Sequence, residues 1–250
     1  MCWCRTTGGS TATSCSRACR RSEMFWEEES AADTPETASA LDLSFGIQSR
    51  MLPVDHLHAL SRALEELLPE LKEAGIGVHE IHLAGSQNGW ERPDPALGQH
   101  LIPSRRSRMQ LRVPRELSDE VRQRLEGATL DLDGFELTLK QAREKPLFSH
   151  PTLYARHLLI LEGEKEDENR FLQRIAQELE EREIRIKKAL CGKTTEIATP
   201  DGPLYTRSLM LADLTPGQSL RLQEQGLGEH RHLGCCLFLP MKGIQSQDED

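Results

Sequence analysis

From Leu41 onward apolar residues alternate with polar ones, Leu41, Leu43, Phe45 and Ile47 being separated by Asp42, Ser44, Gly46 and Gln48. A period of two is that of a strand with one buried face. After Pro53 the period changes. Leu57, Leu60, Leu64, Leu67, Leu68 and Leu71 recur at three- and four-residue spacing up to Gly75, which predicts an amphipathic helix with Asp55 as its N-cap. Val78, Ile81 and Leu83 predict a second strand, Met109 to Val113 a third, and Leu117 to Leu125 a second helix stopped by Gly127. Leu130 to Leu139 alternates around Asp133-Gly134, a dipeptide suited to a tight hairpin turn. The order β-α-β-β-α-β is that of a ferredoxin-like unit.

The pattern repeats in the second half. Thr152 to Leu161 predicts a strand, and Phe171, Leu172, Ile175, Ala176 and Leu179 form one apolar helix face. Leu190, Ile197 and Leu204 to Leu211 supply strands around an Asp201-Gly202 turn, Gln218 to Gln225 a helix, and Leu233 to Leu239 a closing strand. The run Glu164 to Glu168 predicts a solvated loop. The fold class expected is therefore α+β, with two tandem ferredoxin-like domains over residues 41–148 and 149–244 and a boundary near Pro146 to Pro151. Residues 1–40 differ in composition and predict a disordered extension, with the true start near Met24, and residues 245–250 form an acidic tail.

With 37% hydrophobic and 28% charged residues, and no apolar run near the ~20 residues of a bilayer span, the chain is expected to be soluble and cytoplasmic, with no membrane partner. Its net charge of −9 argues at first against a polyanionic partner. The acids are concentrated, however: residues 24–42 hold six and no base, and Asp248, Glu249 and Asp250 follow at the end. Residues 43–244 hold 27 bases against 30 acids, with the bases clustered at Arg105, Arg106, Arg108, Arg112 and Arg115. Of seven cysteines, Cys2-x-Cys4 and Cys15-x3-Cys19 depart from the spacing of zinc sites, while Cys191, Cys235 and Cys236 sit in apolar or glycine-rich surroundings and are expected to be structural. No metal and no cofactor are expected.

Near the end, Gly226, Gly228 and Gly234 allow close approach of backbone N–H groups to phosphate, and Arg231 and Lys242 add charge. The strand-before, helix-after context of a P-loop is missing, so spacing alone favours an ordinary turn. Arg105-Arg106-Ser107-Arg108 suits a strand entry in solvent as well as a grip on a polyanion. Lys193 and Arg207 fit either role.

The closing GLG, basic stretch, LGC-x-LF-x-P and KG resemble the C-terminal signature of the CRISPR-associated repeat endoribonucleases, members of the RAMP superfamily. Further matches are LPVDH at Leu52 to His56, NGW at Asn88 to Trp90, SRRSRMQLRVP at Ser104 to Pro114 and SLRLQEQGLG at Ser219 to Gly228. The resemblance implies a tandem ferredoxin-like enzyme that cuts CRISPR precursor RNA within each repeat without a metal ion. The RNA's own 2′-OH attacks, leaving a 2′,3′-cyclic phosphate and a 5′-OH. The implied partner is CRISPR repeat RNA, with room for other subunits of a CRISPR effector complex. Arg105, Arg106, Arg108, Lys193, Arg207, Gly226, Gly228, Arg231 and Gly234 become candidate RNA contacts. One departure concerns the glycine loop: the family pattern ends Gly-x-Gly, whereas this chain has Gly234-Cys235-Cys236, and a side chain at Cys236 is expected to narrow the loop.

Such chemistry needs a base for the 2′-OH and an acid for the leaving oxygen. His56 and His58 stand at the predicted start of the first helix, where the macrodipole favours a neutral imidazole and draws in phosphate. Helical phase points His58 outward and leaves His56 at the edge of the leucine face. The resemblance instead favours His56, the histidine of LPVDH. Without it, a histidine packed at a helix edge is the better expectation. His79 and His82 are third choices, and His230 and His232 are candidates for phosphate contact. Two alternatives to the enzyme are an RNA-holding subunit of a CRISPR complex and a metabolite-binding ferredoxin-like domain. The second leaves the arginine cluster unexplained.

Overall fold

The computed structural model describes residues 38–82, 99–185 and 187–241. Leu83, the Asn88 to Trp90 motif, Lys242, the acidic tail and all but the last residues of the N-terminal extension lie outside them.

In the first half, β1 (Ala40–Gln48), α1 (Leu57–Leu67), β2 (Gly77–Val78), β3 (Arg108–Pro114), α2 (Ser118–Leu125), β4 (Thr129–Leu132) and β5 (Phe135–Pro146) follow in order. The strands form one antiparallel sheet, β2-β3-β1-β5-β4. Beside β1, β5 takes the place of the fourth ferredoxin-like strand, and β4 adds an edge through the Asp133-Gly134 hairpin, both of whose turn residues have positive φ. The alternation in β1 works as expected: Leu41, Leu43 and Phe45 are buried with Leu60, Leu64, Leu111 and Val121 in the first core. Asp42 and Ser44 face the other way, opposite Arg112 and Gln110 of β3.

The second half runs β6 (Leu153–Leu159), α3 (Glu168–Glu180), β7 (Lys188–Ile197), β8 (Leu204–Ala212), α4 (Pro216–Gln225) and β9 (Phe238–Pro240). Its antiparallel sheet has the order β7-β8-β6-β9, the complete ferredoxin-like arrangement. Local chemistry sets the helix starts. Asp167 accepts from the Arg170 N–H at the head of α3, and Thr215 and Gln218 form a reciprocal capping box with Pro216 in the first turn of α4. Phe171, Ile175, Leu209, Leu211, Leu222 and Phe238 fill the second core.

Several local expectations are corrected. His56, not Asp55, is the N-cap of α1; the Asp55 carboxylate accepts the Ala198 N–H of the second half at 3.0 Å. Strand β2 stops at Val78; the His79 N–H still donates to the Gln110 carbonyl of β3 at 3.0 Å, but the Ile81 N–H goes to the His56 ring instead. Glu164 is not solvated: it is 3% exposed and accepts from Arg174 Nε at 2.7 Å and the Leu161 N–H at 2.9 Å. The closing strand is only Phe238–Pro240, since Arg231–Leu233 form a 3-10 turn and His230, Gly234 and Cys236 adopt left-handed backbone that breaks the extended run.

Two of the contacts that join the halves anchor the site. Leu57, the first residue of α1, packs into the second core. Arg112, 1% exposed, forms a two-pronged ion pair with Asp42 at 2.9 and 3.1 Å and donates from Nη1 to the carbonyls of Gln223 and Phe238 at 2.9 and 2.8 Å. One side chain of β3 thereby holds both the end of α4 and the start of β9.

Candidate functional site

Between those two anchored ends lies the glycine-rich segment. Gly226 caps α4 at φ +67°, and a Cβ there would stand 2.3 Å from the Cys236 carbonyl oxygen, so a side chain is excluded by conformation and by space. The loop is then closed on itself. The Leu227 N–H donates to the Cys236 carbonyl at 3.3 Å, the Cys235 N–H to His230 at 3.2 Å, and the Cys236 N–H to the His157 carbonyl at 2.7 Å. Among the described residues, the backbone bonds outside helices and strands include none donated by the N–H groups of Gly228, Glu229 and His230.

Cys236 stands where the resembling family has glycine. It adopts φ +64°, a left-handed conformation that costs a non-glycine residue on the order of 1–3 kcal/mol. Its thiol turns inward, donates to the Glu229 carbonyl at 3.1 Å, and would lie 3.2 Å from a Cβ on Gly228. The side chain therefore fills the loop's interior. Burial pushes the Cys236 thiol up to about 12, and burial likewise raises Cys235, so neither is a thiolate nucleophile near neutral pH.

The histidines divide sharply. His56 is 1% exposed; its Nε2 accepts the Ile81 N–H at 3.0 Å, which leaves the proton on Nδ1 to donate to the Pro53 carbonyl at 3.2 Å. Both ring nitrogens of His56 are thus engaged inside the protein, where they tie the head of α1 to segment 79–82. His58 is partly exposed in the first turn of α1. His79 is buried, with Nε2 3.4 Å from Asp42. Burial lowers the His79 pKa, and the positive charges of Arg112 and Arg231 add to this against the pull of Asp42. For Asp42 burial works against ionisation, but the hydrogen bonds and charges of His79 and Arg112 prevail and hold the carboxyl well below the usual range. His230 and His232 stand beside the loop with ring centroids 5.7 Å apart.

The cations also separate. Arg105, Arg106 and Arg108 are exposed at the entry to β3, where Arg108 Nη1 donates to the carbonyls of Arg105 and Ser107 and stiffens the turn. Lys193 is exposed on β7. Arg207 points to the helix side of the second sheet, 6% exposed, over the Phe171 ring and donating to the Lys165 carbonyl at 3.0 Å. Its parity along β8 matches that of the buried Leu209 and Leu211, a signal that the sequence already carried. Arg231 is half-buried beneath the loop, its Nη1 on the Gln225 carbonyl at 3.1 Å, and burial lowers its pKa.

What the sequence patterns missed is a cleft of about 260 Å³ between the halves, lined by His82, Tyr154, Arg156, Gly234, Leu239 and Met241 among others. Segment 79–82 of the first half and β6 of the second meet there. Arg156 Nε lies 3.2 Å from Glu80, and His157 Nε2 lies 3.7 Å from the same oxygen while its Nδ1 meets the Thr206 hydroxyl at 2.9 Å. A Cβ on Gly234 would meet Leu57 at 3.0 Å and the Val78 carbonyl at 3.2 Å. Gly234 thus touches the start of α1 and borders the His82 cleft.

The sequence model of the family described as Cas6 Crispr matches residues 41–243. Over 201 residues the chain is 32% identical to the CRISPR-associated endonuclease Cas6 of Myxococcus xanthus strain DK1622, covering 80% of this chain and 81% of that protein. In fold it is similar to a structure characterising a Cas6-related gene from Pyrococcus furiosus, with a TM-score of 0.59, 11% identity and coverage of 81% of this chain and 99% of that one. It is similar too to a structure described as an RAMP protein binding different RNA substrates, with a TM-score of 0.58, 10% identity and coverage of 81% and 100%.

Proposed function

The chain belongs to the Cas6 family, and on that premise we propose that it is an endoribonuclease that cuts CRISPR precursor RNA within its repeats, without a metal ion. The 2′-OH beside the scissile phosphate loses its proton to a base and attacks phosphorus. The P–O2′ bond forms as the P–O5′ bond breaks, and an acid protonates the departing 5′-oxygen. The products carry a 2′,3′-cyclic phosphate and a 5′-OH.

The observation that carries this mechanism is the position of Gly234, packed on Leu57 at the head of α1 and bordering the cleft of His82. On this reading the scissile phosphate lies against the glycine loop, and the histidines assigned to it are His58, in the first turn of α1, and His82, in the cleft that Gly234 borders. Those two histidines take the acid and base roles, and Arg156 supplies charge to the crowded phosphorane. His56 acts through position only, by fixing Ile81 and with it His82. A subunit that merely holds RNA is the weaker alternative, since the Myxococcus relative is named an endonuclease.

The test is incubation with repeat RNA in EDTA, with the product ends mapped. Discrete products with cyclic ends are expected from the natural chain. His58→Ala or His82→Ala should each slow the reaction by about 10²-fold or more. Intact, bound RNA would make the protein a holder, and full cleavage by the double variant would remove both histidines from the chemistry.

A further inference from the structure

The face of the second sheet turned away from α3 and α4 carries a feature that phosphate gripping does not use. Leu190 of β7 pairs with Met210 of β8, Met210 with Tyr154 of β6, and Tyr154 with Leu239 of β9. Directly opposed residues of antiparallel strands project to the same side. These four side chains therefore form one apolar row across every strand of the sheet. Their strand neighbours Leu153, Ala155, Leu209 and Leu211 are buried against the helices, so the row faces the other way, and Leu190 is 61% exposed. At its β9 end the row runs into the 260 Å³ cleft, where Tyr154 and Leu239 meet Arg156 and His82.

We propose that this row and cleft bind unpaired nucleobases of the RNA strand, with one base seated against Tyr154. This inference rests on the RNA-cleaving function proposed above and adds a subsite to it. Three features favour an RNA strand over an apolar protein surface. Cations flank the row on its own side: Lys188, ion-paired with Asp213 at 3.1 Å and 73% exposed, lies two residues before Leu190, and Arg156, beside Glu80 at 3.2 Å and 41% exposed, two after Tyr154, and their exposed parts suit the phosphates that link flat apolar bases. The cleft is smaller than the ~300 Å³ at which pockets for drug-sized molecules begin, which is the scale of a single base. Finally, the cleft borders Gly234, so a strand whose phosphate lies on the glycine loop has its neighbouring base within reach of Tyr154. Stacking on side chains of an open four-stranded sheet is an established way to read single-stranded RNA.

The experiment uses repeat RNA made resistant to cleavage by a 2′-deoxy substitution at the cut site, with an abasic replacement at each unpaired position in turn. Binding is measured for the natural chain and for Tyr154→Ala, Tyr154→Leu and Tyr154→Phe, with melting temperatures confirming that each is folded. Tyr154→Ala is expected to weaken binding about five- to a hundredfold, Tyr154→Leu by less, and Tyr154→Phe hardly at all. At one position the abasic RNA should lose affinity for the natural chain but lose nothing further for Tyr154→Ala. Additive losses at every position, or natural affinity in Tyr154→Ala, would overturn the base site while leaving cleavage untouched. A Leu190→Asp variant that binds RNA normally but changes oligomeric state would reassign the row to a second copy of the chain. Failure of the natural chain to bind repeat RNA would overturn both this site and the function on which it rests.

Discussion

At the scale of single residues, His56 and His58 show how little a motif says about a side chain's surroundings. The LPVDH resemblance and the helix start point to His56, and the fold buries that side chain with its two nitrogens on Ile81 and Pro53. His56→Ala is therefore expected to destabilise the fold by roughly 2–4 kcal/mol through two lost buried hydrogen bonds, whereas His58→Ala should leave stability within about 0.5 kcal/mol. Urea denaturation of the two variants separates them. Gly234 is the converse case. Its φ of +77° and its contacts at 3.0 and 3.2 Å mean that Gly234→Ala should cost on the order of 1–3 kcal/mol. Because the substitution pushes the loop away from α1, it should also weaken RNA binding. A variant of natural stability and affinity would show that the loop does not need this close approach.

At the scale of elements, both helices and the inner strands of each half were legible because burial on one face writes a period into the chain. Strand β9 was not. Its predicted start at Leu233 was overridden by left-handed residues at His230 and Cys236, which have no glycine to announce them. The clamp on β3 was hidden for a different reason. Arg112 lies in a basic stretch and looks like one more surface cation, but its partners come from β1, α4 and β9, which only the fold brings together. Replacing it by methionine leaves Asp42 buried without its partner, and a loss of about 3–5 kcal/mol is expected. The same cluster sets an acid limit. His79 and Asp42 both have folded pKa values below their ordinary 6.5 and 3.8, so the unfolded chain binds more protons at each. The His79 contribution is complete above about pH 6.5 and is lost as pH falls through its folded value; the Asp42 contribution is complete above about pH 3.8 and is lost lower still. Melting temperature should fall on acidification from pH 7, and His79→Gln should flatten the upper part of that fall.

At the scale of the molecule, a net charge of −9 coexists with an exposed basic corner at Arg105, Arg106 and Arg108. If those three meet phosphate, removing them together should lower the slope of log affinity against log salt by about 2, at ~0.7 per contact for a single strand. Cleavage at saturating RNA should be preserved. An unchanged slope would return the corner to solvent. The repeated architecture was legible from the succession of periods, but the interlock between its copies was not. Leu57 begins a helix of the first half and ends in the core of the second. Duplicated in shape, the two copies are therefore not duplicated in thermodynamics: calorimetry should record one cooperative transition over residues 38–241, and a fragment ending near Pro146 should expose Leu57 and refold only when the complementary fragment is supplied.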